Sequence, residues 1–77
     1  MKDITLYTQP ECPPCKITKL FLNDNNIEYK EKDIKADGKA RKELTDKYNS
    51  YSTPTVVIDG KVIIGFNLDA IEKELNL

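Results

Sequence analysis

Cys12 and Cys15 are the only cysteines in the 77-residue chain, and Pro13 and Pro14 separate them. Histidine is absent. That removes every imidazole general base, every histidine-containing triad and every histidine metal ligand. Any chemistry must come from Cys, Asp, Glu, Lys, Tyr, Ser or Thr. A spacing of three residues on a helix puts the two sulfurs about one turn apart, close enough to bond without unfolding anything. A disulfide there closes so small a loop that the chain-entropy estimate is only about 2 kcal/mol. It is therefore a weak staple, and the pair reads as redox-active or metal-binding rather than structural.

The setting favours the redox reading. The residues before Cys12 read as a strand and those after it as a helix, so Cys12 falls where free N–H groups and the positive end of the helix dipole converge. Both favour a thiolate, and cysteines so placed titrate in the range ~3.5–7.5 rather than near ~8.5. Cys12 is accordingly expected to be the exposed, reactive sulfur. Lys16, about a turn further on, adds positive charge, although a solvated surface lysine is its plainer reading. A thiolate at Cys12 attacks a substrate disulfide, and Cys15 resolves the mixed disulfide and leaves the pair oxidised. The competing reading is a metal site. Zinc takes four ligands, and this chain offers two cysteines and no histidine, so such a site would have to be shared across a dimer.

The elements that must position the pair follow from pattern. A strand is expected at Lys2–Tyr7, broken by Thr8-Gln9-Pro10-Glu11. A helix begins at Cys12, with Pro13 and Pro14 in the first turn, where a missing N–H costs nothing. Ile17, Leu20 and Phe21 give it an apolar stripe at i, i+3, i+4. Asn23-Asp24-Asn25-Asn26 ends it. A second strand is expected at Ile27–Asp33. Asp37-Gly38 opens a second helix with Ala40, Leu44 and Tyr48 on its inner face and Lys39, Arg41, Lys42, Glu43, Asp46 and Lys47 on its solvated faces. Asn49–Pro54 connects to a strand, Thr55–Ile58. Asp59-Gly60 predicts a type I′ hairpin turn into Lys61–Ile64. After the turn Gly65-Phe66-Asn67 comes a last helix, Leu68–Leu75, with Leu68, Ile71 and Leu75 on one face. The order β-α-β-α-β-β-α implies an α/β fold. The first two strands are parallel across a helix and the last two form an antiparallel hairpin, giving a four-stranded mixed sheet flanked by three helices.

Size and charge narrow the function further. Residues 1–77 make a single domain with a small core. Apolar residues are 39% and charged residues 32%, unlike a disordered chain. Lys and Arg number 12 against 13 Asp and Glu, which argues against nucleic acid as a partner. No run approaches the ~20 apolar residues of a membrane span, and no signal peptide is read at the start. A cytoplasmic setting is expected.

Three segments carry a family resemblance. Tyr7-Thr8-Gln9-Pro10-Glu11-Cys12-Pro13-Pro14-Cys15 resembles the active-site segment of glutaredoxins. Ser52-Thr53-Pro54-Thr55-Val56-Val57-Ile58-Asp59-Gly60 resembles the cis-proline loop and hairpin of the thioredoxin fold. Gly65-Phe66-Asn67-Leu68-Asp69-Ala70-Ile71 resembles the turn before the last helix in glutaredoxin-like proteins and NrdH-redoxins. The resemblance implies a thioredoxin fold with Cys12 as nucleophile and Cys15 as resolving cysteine. It implies a cis bond at Thr53–Pro54, with the Thr53 main chain offered to an extended thiol substrate. Gly65, Phe66, Asn67 and Asp69 would complete the substrate-binding surface. No bound cofactor is implied beyond the Cys12–Cys15 disulfide itself.

The same resemblance shapes the expected partners: a monomer that reduces protein disulfides, ribonucleotide reductase among them. Two departures bear on the electron source. Glutathione-using members often carry Lys or Arg where Gln9 stands, and often read Gly-Gly-x-Asp-Asp where Phe66 and Leu68 replace a Gly and an Asp. Asp69 alone is left to pair with a glutathione amine. Electrons from NADPH through a thioredoxin-reductase-type flavoprotein are therefore expected, with Phe66 and Leu68 presenting an apolar patch beside Cys12. Glutathione is the alternative donor, and a metal or iron–sulfur carrier using the same thiolates is the alternative function.

Overall fold

The computed structural model describes residues 3–77. Strand β1 (Ile4–Thr8) is followed by helix α1 (Pro13–Asp24), strand β2 (Lys30–Asp33) and helix α2 (Gly38–Lys42). Helix α2 runs on as a π-helical turn, Glu43–Lys47. Strands β3 (Thr55–Ile58) and β4 (Lys61–Ile64) and helix α3 (Leu68–Leu75) complete the chain. The sheet order is β2-β1-β3-β4. β1 pairs parallel with β2 and antiparallel with β3, and β3 pairs antiparallel with β4. The expected mixed sheet flanked by three helices is what forms.

Alternation along the strands builds two cores. Ile4 and Leu6 of β1 and Val56 and Ile58 of β3 pack on one face with Leu22 of α1 and Ile71 of α3. Tyr7 and Val57 point to the other face, against Ala40 and Leu44 of α2. All four β3 residues are buried, as befits an internal strand covered on both sides. At the hairpin, Asp59 and Gly60 have φ of 48° and 88°, both positive as a type I′ turn requires.

Several boundaries and faces differ from expectation. β1 continues through Thr8, whose carbonyl accepts the Ile34 N–H at 2.9 Å; Lys2, the expected first strand residue, lies outside the described residues. β2 starts at Lys30, not Ile27. The Ile27 N–H is taken by the Leu22 carbonyl at 2.9 Å, closing the end of α1, while Ile27 and Tyr29 pack against the core from a loop. The expected stripe of α1 is also rotated. Its buried residues are Cys15, Thr18 and Leu22, whereas Ile17 is exposed and Leu20 is 60% exposed. The inward face follows i, i+3, i+7 from Cys15, and of the expected stripe Phe21 alone packs against the core, beside Leu22. Thr18 tolerates burial because its hydroxyl donates to the Pro14 carbonyl at 2.9 Å.

Candidate active site

The site lies where β1 hands over to α1. Glu11 adopts a left-handed φ of 57°, reversing the chain so that Cys12 becomes the N-cap of α1. Pro13 and Pro14 fill the next two positions, where neither costs an intrahelical hydrogen bond. The Cys15 N–H donates to Cys12 Sγ at 3.3 Å, and the two sulfurs are joined in a disulfide. Cys12 retains 8% of its surface and Cys15 1%. Cys12 is thus the more accessible residue of the pair, but it is buried rather than exposed as expected. Main chain from the far side of the molecule covers it.

That cover is the loop ahead of β3. Thr53 places its carbonyl oxygen 3.9 Å and its Oγ1 3.7 Å from Cys12 Sγ, and the Thr53–Pro54 bond is cis. The loop is held from three directions. Gln9 Nε2 donates to Thr53 Oγ1 at 3.0 Å, and the Gly65 N–H donates to the Pro54 carbonyl at 2.9 Å. Below it, the buried Ser50 and Thr55 hydroxyls lie 2.8 Å apart, and each also reaches the Ser52 carbonyl, at 3.3 and 2.7 Å. Two hydroxyl protons serve this triangle, so no member is left unpaired in the interior.

The other residues singled out from sequence divide. Thr53 lies over Cys12, and Pro54 and Gly65 hold the loop that carries it. Phe66 follows Gly65 and is half-exposed. Leu68 packs against the core, so the expected surface patch of Phe66 with Leu68 reduces to Phe66. Asn67 has a structural occupation, since its Oδ1 accepts the Ala70 N–H at 3.1 Å as the N-cap of α3. Asp69 is exposed in the first turn of that helix. Lys16 is exposed, and its main-chain N–H donates to the Cys12 carbonyl at 3.2 Å.

One network had no sequence signal. Glu43, expected on a solvated face, turns inward at the start of the π-helical turn. It accepts a hydrogen bond from the buried Tyr7 hydroxyl and another from Lys32 Nζ at 2.9 Å. Lys32 also lies 5.8 Å from the Tyr7 ring centre. Burial and the carboxylate raise the Tyr7 pKa. The same contacts hold Glu43 below its ordinary value and Lys32 above its own. Among the described residues, no group of three or more His, Cys, Asp or Glu is placed to hold a metal ion. Among the same residues, no helix is long and apolar enough to cross a membrane.

A strand–Cys-x-x-Cys–helix junction capped by a cis-proline loop defines a protein of the thioredoxin-like class. The glutaredoxin family model matches residues 4–63, and the chain belongs to the glutaredoxin family. A glutaredoxin-like 8.6 kDa protein from the rubredoxin operon of Clostridium pasteurianum is 37% identical over 70 residues, covering 91% of this chain and 93% of its own. The crystal structure of the thioredoxin-like protein BC3987, as its T8A mutant, is 53% identical. It superposes with a TM-score of 0.94 over 96% of this chain and 100% of its own. NrdH-redoxin from Escherichia coli, a glutaredoxin-like protein, shares the fold at 22% identity, with a TM-score of 0.83 over 92% of each chain.

Proposed function

We propose that this protein is a dithiol electron carrier that reduces protein disulfides through Cys12 and Cys15, with residues 1–77 acting as one domain. The observation that carries the reading is Cys12 at the cap of α1, accepting the Cys15 N–H at 3.3 Å while bonded to the Cys15 sulfur. In the reduced protein the same N–H and the helix dipole favour a thiolate at Cys12. That thiolate attacks one sulfur of a target disulfide, forming a mixed disulfide and releasing the target's other sulfur as thiolate. Cys15, one turn away and buried, then attacks Cys12 Sγ, restoring the intramolecular disulfide and freeing the reduced target. Thr53 supplies the main-chain edge against which an extended target segment pairs, with Pro54, Gly65, Phe66 and Asp69 around it and Asn67 capping the helix that follows. Lys16 adds positive charge at the first turn.

Re-reduction is assigned to NADPH through a thioredoxin-reductase-type flavoprotein, and the setting to the cytoplasm. The test of the thiol roles is trapping. Cys15→Ser is expected to accumulate a mixed disulfide through Cys12 when mixed with an oxidised protein target, seen as a mass increase. Cys12→Ser is expected to be inert. A mixed disulfide formed through Cys15 in the Cys12→Ser protein at neutral pH would reverse the assignment.

A further inference from the structure

Ser50 and Thr55 lie beneath the loop that covers Cys12, with 1% and 0% of their surfaces exposed. Buried hydroxyls are costly unless their protons are used. The Thr55 hydroxyl donates to the Ser52 carbonyl at 2.7 Å, which leaves its oxygen to accept the Ser50 hydroxyl, 2.8 Å away. The direct approach of Ser50 Oγ to the Ser52 carbonyl is longer, 3.3 Å. Both side chains are anchored from behind. The Ser50 N–H donates to the Leu44 carbonyl at 3.0 Å, and Thr55 sits in β3 between Tyr7 of β1 and Ile64 of β4. The pinned carbonyl belongs to the Ser52–Thr53 peptide, which is trans. In a planar trans peptide the C=O and N–H point to opposite sides, so a carbonyl held inward turns the Thr53 N–H outward. Among the described residues that N–H has no hydrogen-bond partner, and Pro54 after it has no N–H to offer. The loop thus presents one free main-chain donor. It stands on the half-buried residue whose carbonyl lies 3.9 Å from Cys12 Sγ.

We infer that Ser50 and Thr55 are positioning residues: their hydroxyl pair holds the Thr53 N–H outward, where it donates to a carbonyl of the target segment carrying the attacked cysteine. The inference rests on the dithiol-carrier reading. It adds the two side chains that orient the donor and the part of the target they serve, main chain rather than side chain. Without the Thr55 hydroxyl the Ser52–Thr53 peptide can flip, and part of the population loses the donor. A small disulfide with no amide beside its sulfur gives this donor nothing to bind and does not sense the pair.

The test uses the reduced protein and two compounds with one leaving group: a single-cysteine peptide and 2-mercaptoethanol, each joined through its sulfur to 2-thiopyridine. Cys12 thiolate bonds to the peptide or mercaptoethanol sulfur, the S–S bond to thiopyridine breaks, and thiopyridone leaves and is measured. The readout is the ratio of the two second-order rates, peptide over mercaptoethanol. It is expected to fall about three- to tenfold in Thr55→Val, the equivalent of one net hydrogen bond. Ser50→Ala keeps the Thr55–Ser52 bond and is expected to lower it less, and Thr55→Ser to restore it. The Thr53 amide gives a second readout. In Cys15→Ser trapped with the peptide through Cys12, it is expected to exchange with solvent more slowly than in the free protein, and added Thr55→Val to erase most of that protection. A hydroxyl pair that only stabilises the fold would slow both compounds alike. An unchanged ratio in folded Thr55→Val therefore overturns the inference, as does an unprotected Thr53 amide in the trapped Cys15→Ser complex. If Thr55→Val does not fold, an unchanged ratio in Ser50→Ala overturns it instead. Failure of the dithiol-carrier reading looks different, because the mercaptoethanol compound would then not react through Cys12 at all.

Discussion

Glu43 shows how a single side chain joins distant parts of this fold. Its carboxylate is shared between the Tyr7 hydroxyl of β1 and the Lys32 ammonium of β2, so it ties α2 to two strands. Tyr7→Phe removes one donor and leaves Lys32 in place, and a cost of about 1 kcal/mol is expected in urea unfolding. Glu43→Gln tests the electrostatics. The Glu43 pKa is lowered in the folded state from 4.5, so its contribution is full above that value and lost as pH falls through the folded one. Tyr7 and Lys32 have raised values, so their contributions hold below about 10 and fade as pH rises further. The stability gap between wild type and Glu43→Gln is therefore expected to be largest near neutrality, at about 1 kcal/mol or less for a carboxylate one-third exposed. Titration of the unfolding midpoint checks it, and a gap that widens below pH 4 would contradict the assignment. None of this was legible locally. Tyr7 and Glu43 lie 36 residues apart, and one glutamate among charged neighbours reads as solvated. Cys12 and Cys15, by contrast, were legible because their chemistry depends on a three-residue spacing and a strand–helix boundary.

The helices divide along the same line. Helix α3 formed as its pattern predicts, since Leu68, Ile71 and Leu75 answer to one sheet face and nothing else constrains the phase. Helix α1 did so only in part: Phe21 packs against the core, but Cys15, Thr18 and Leu22 take the buried face and Ile17 and Leu20 are left exposed. The contrast gives a direct check. Leu20→Glu is expected to change stability by no more than about 0.5 kcal/mol, and Leu22→Ala to cost about 2–5 kcal/mol. Comparable losses at both would mean the helix sits as the sequence pattern alone suggested. Asn67 asks a related question at the start of α3. As a cap, Asn67→Ala is expected to cost about 1 kcal/mol, Asn67→Asp to retain most of that, and neither to alter KM for a disulfide substrate. A raised KM in Asn67→Ala at unchanged stability would instead make Asn67 a substrate contact. The narrow stripe of Ala40, Leu44 and Tyr48 was read as one helix. Its four-residue period suits a wider winding than 3.6, and α2 gives way to a π-helical turn at Glu43, where Glu43 turns to Tyr7.

For the molecule as a whole, the electron donor turns on how its surface meets either a small tripeptide or a folded reductase. Glutathione binds through charges at both ends of a short chain. Here Gln9 spends its amide on Thr53 Oγ1 and brings no charge. At the other end Leu68 is folded against the core, and Asp69 alone is left in the first turn of α3. The glutathione amine lacks the second acid. A lost charge-assisted hydrogen bond is worth about 1.5–3 kcal/mol, or roughly one to two decades in affinity. A folded reductase needs no such clamp. It can use the half-exposed Phe66 and the exposed Tyr51, aromatic groups of the kind that anchor protein interfaces. With NADPH in excess, a thioredoxin-reductase-type flavoprotein is expected to reduce the Cys12–Cys15 disulfide faster than glutathione with glutathione reductase. Gln9→Lys is expected to raise the glutathione rate several-fold and leave the flavoprotein rate unchanged. Efficient turnover with glutathione, and none with any thioredoxin-reductase-type enzyme, would make this chain a glutathione-dependent member of its family.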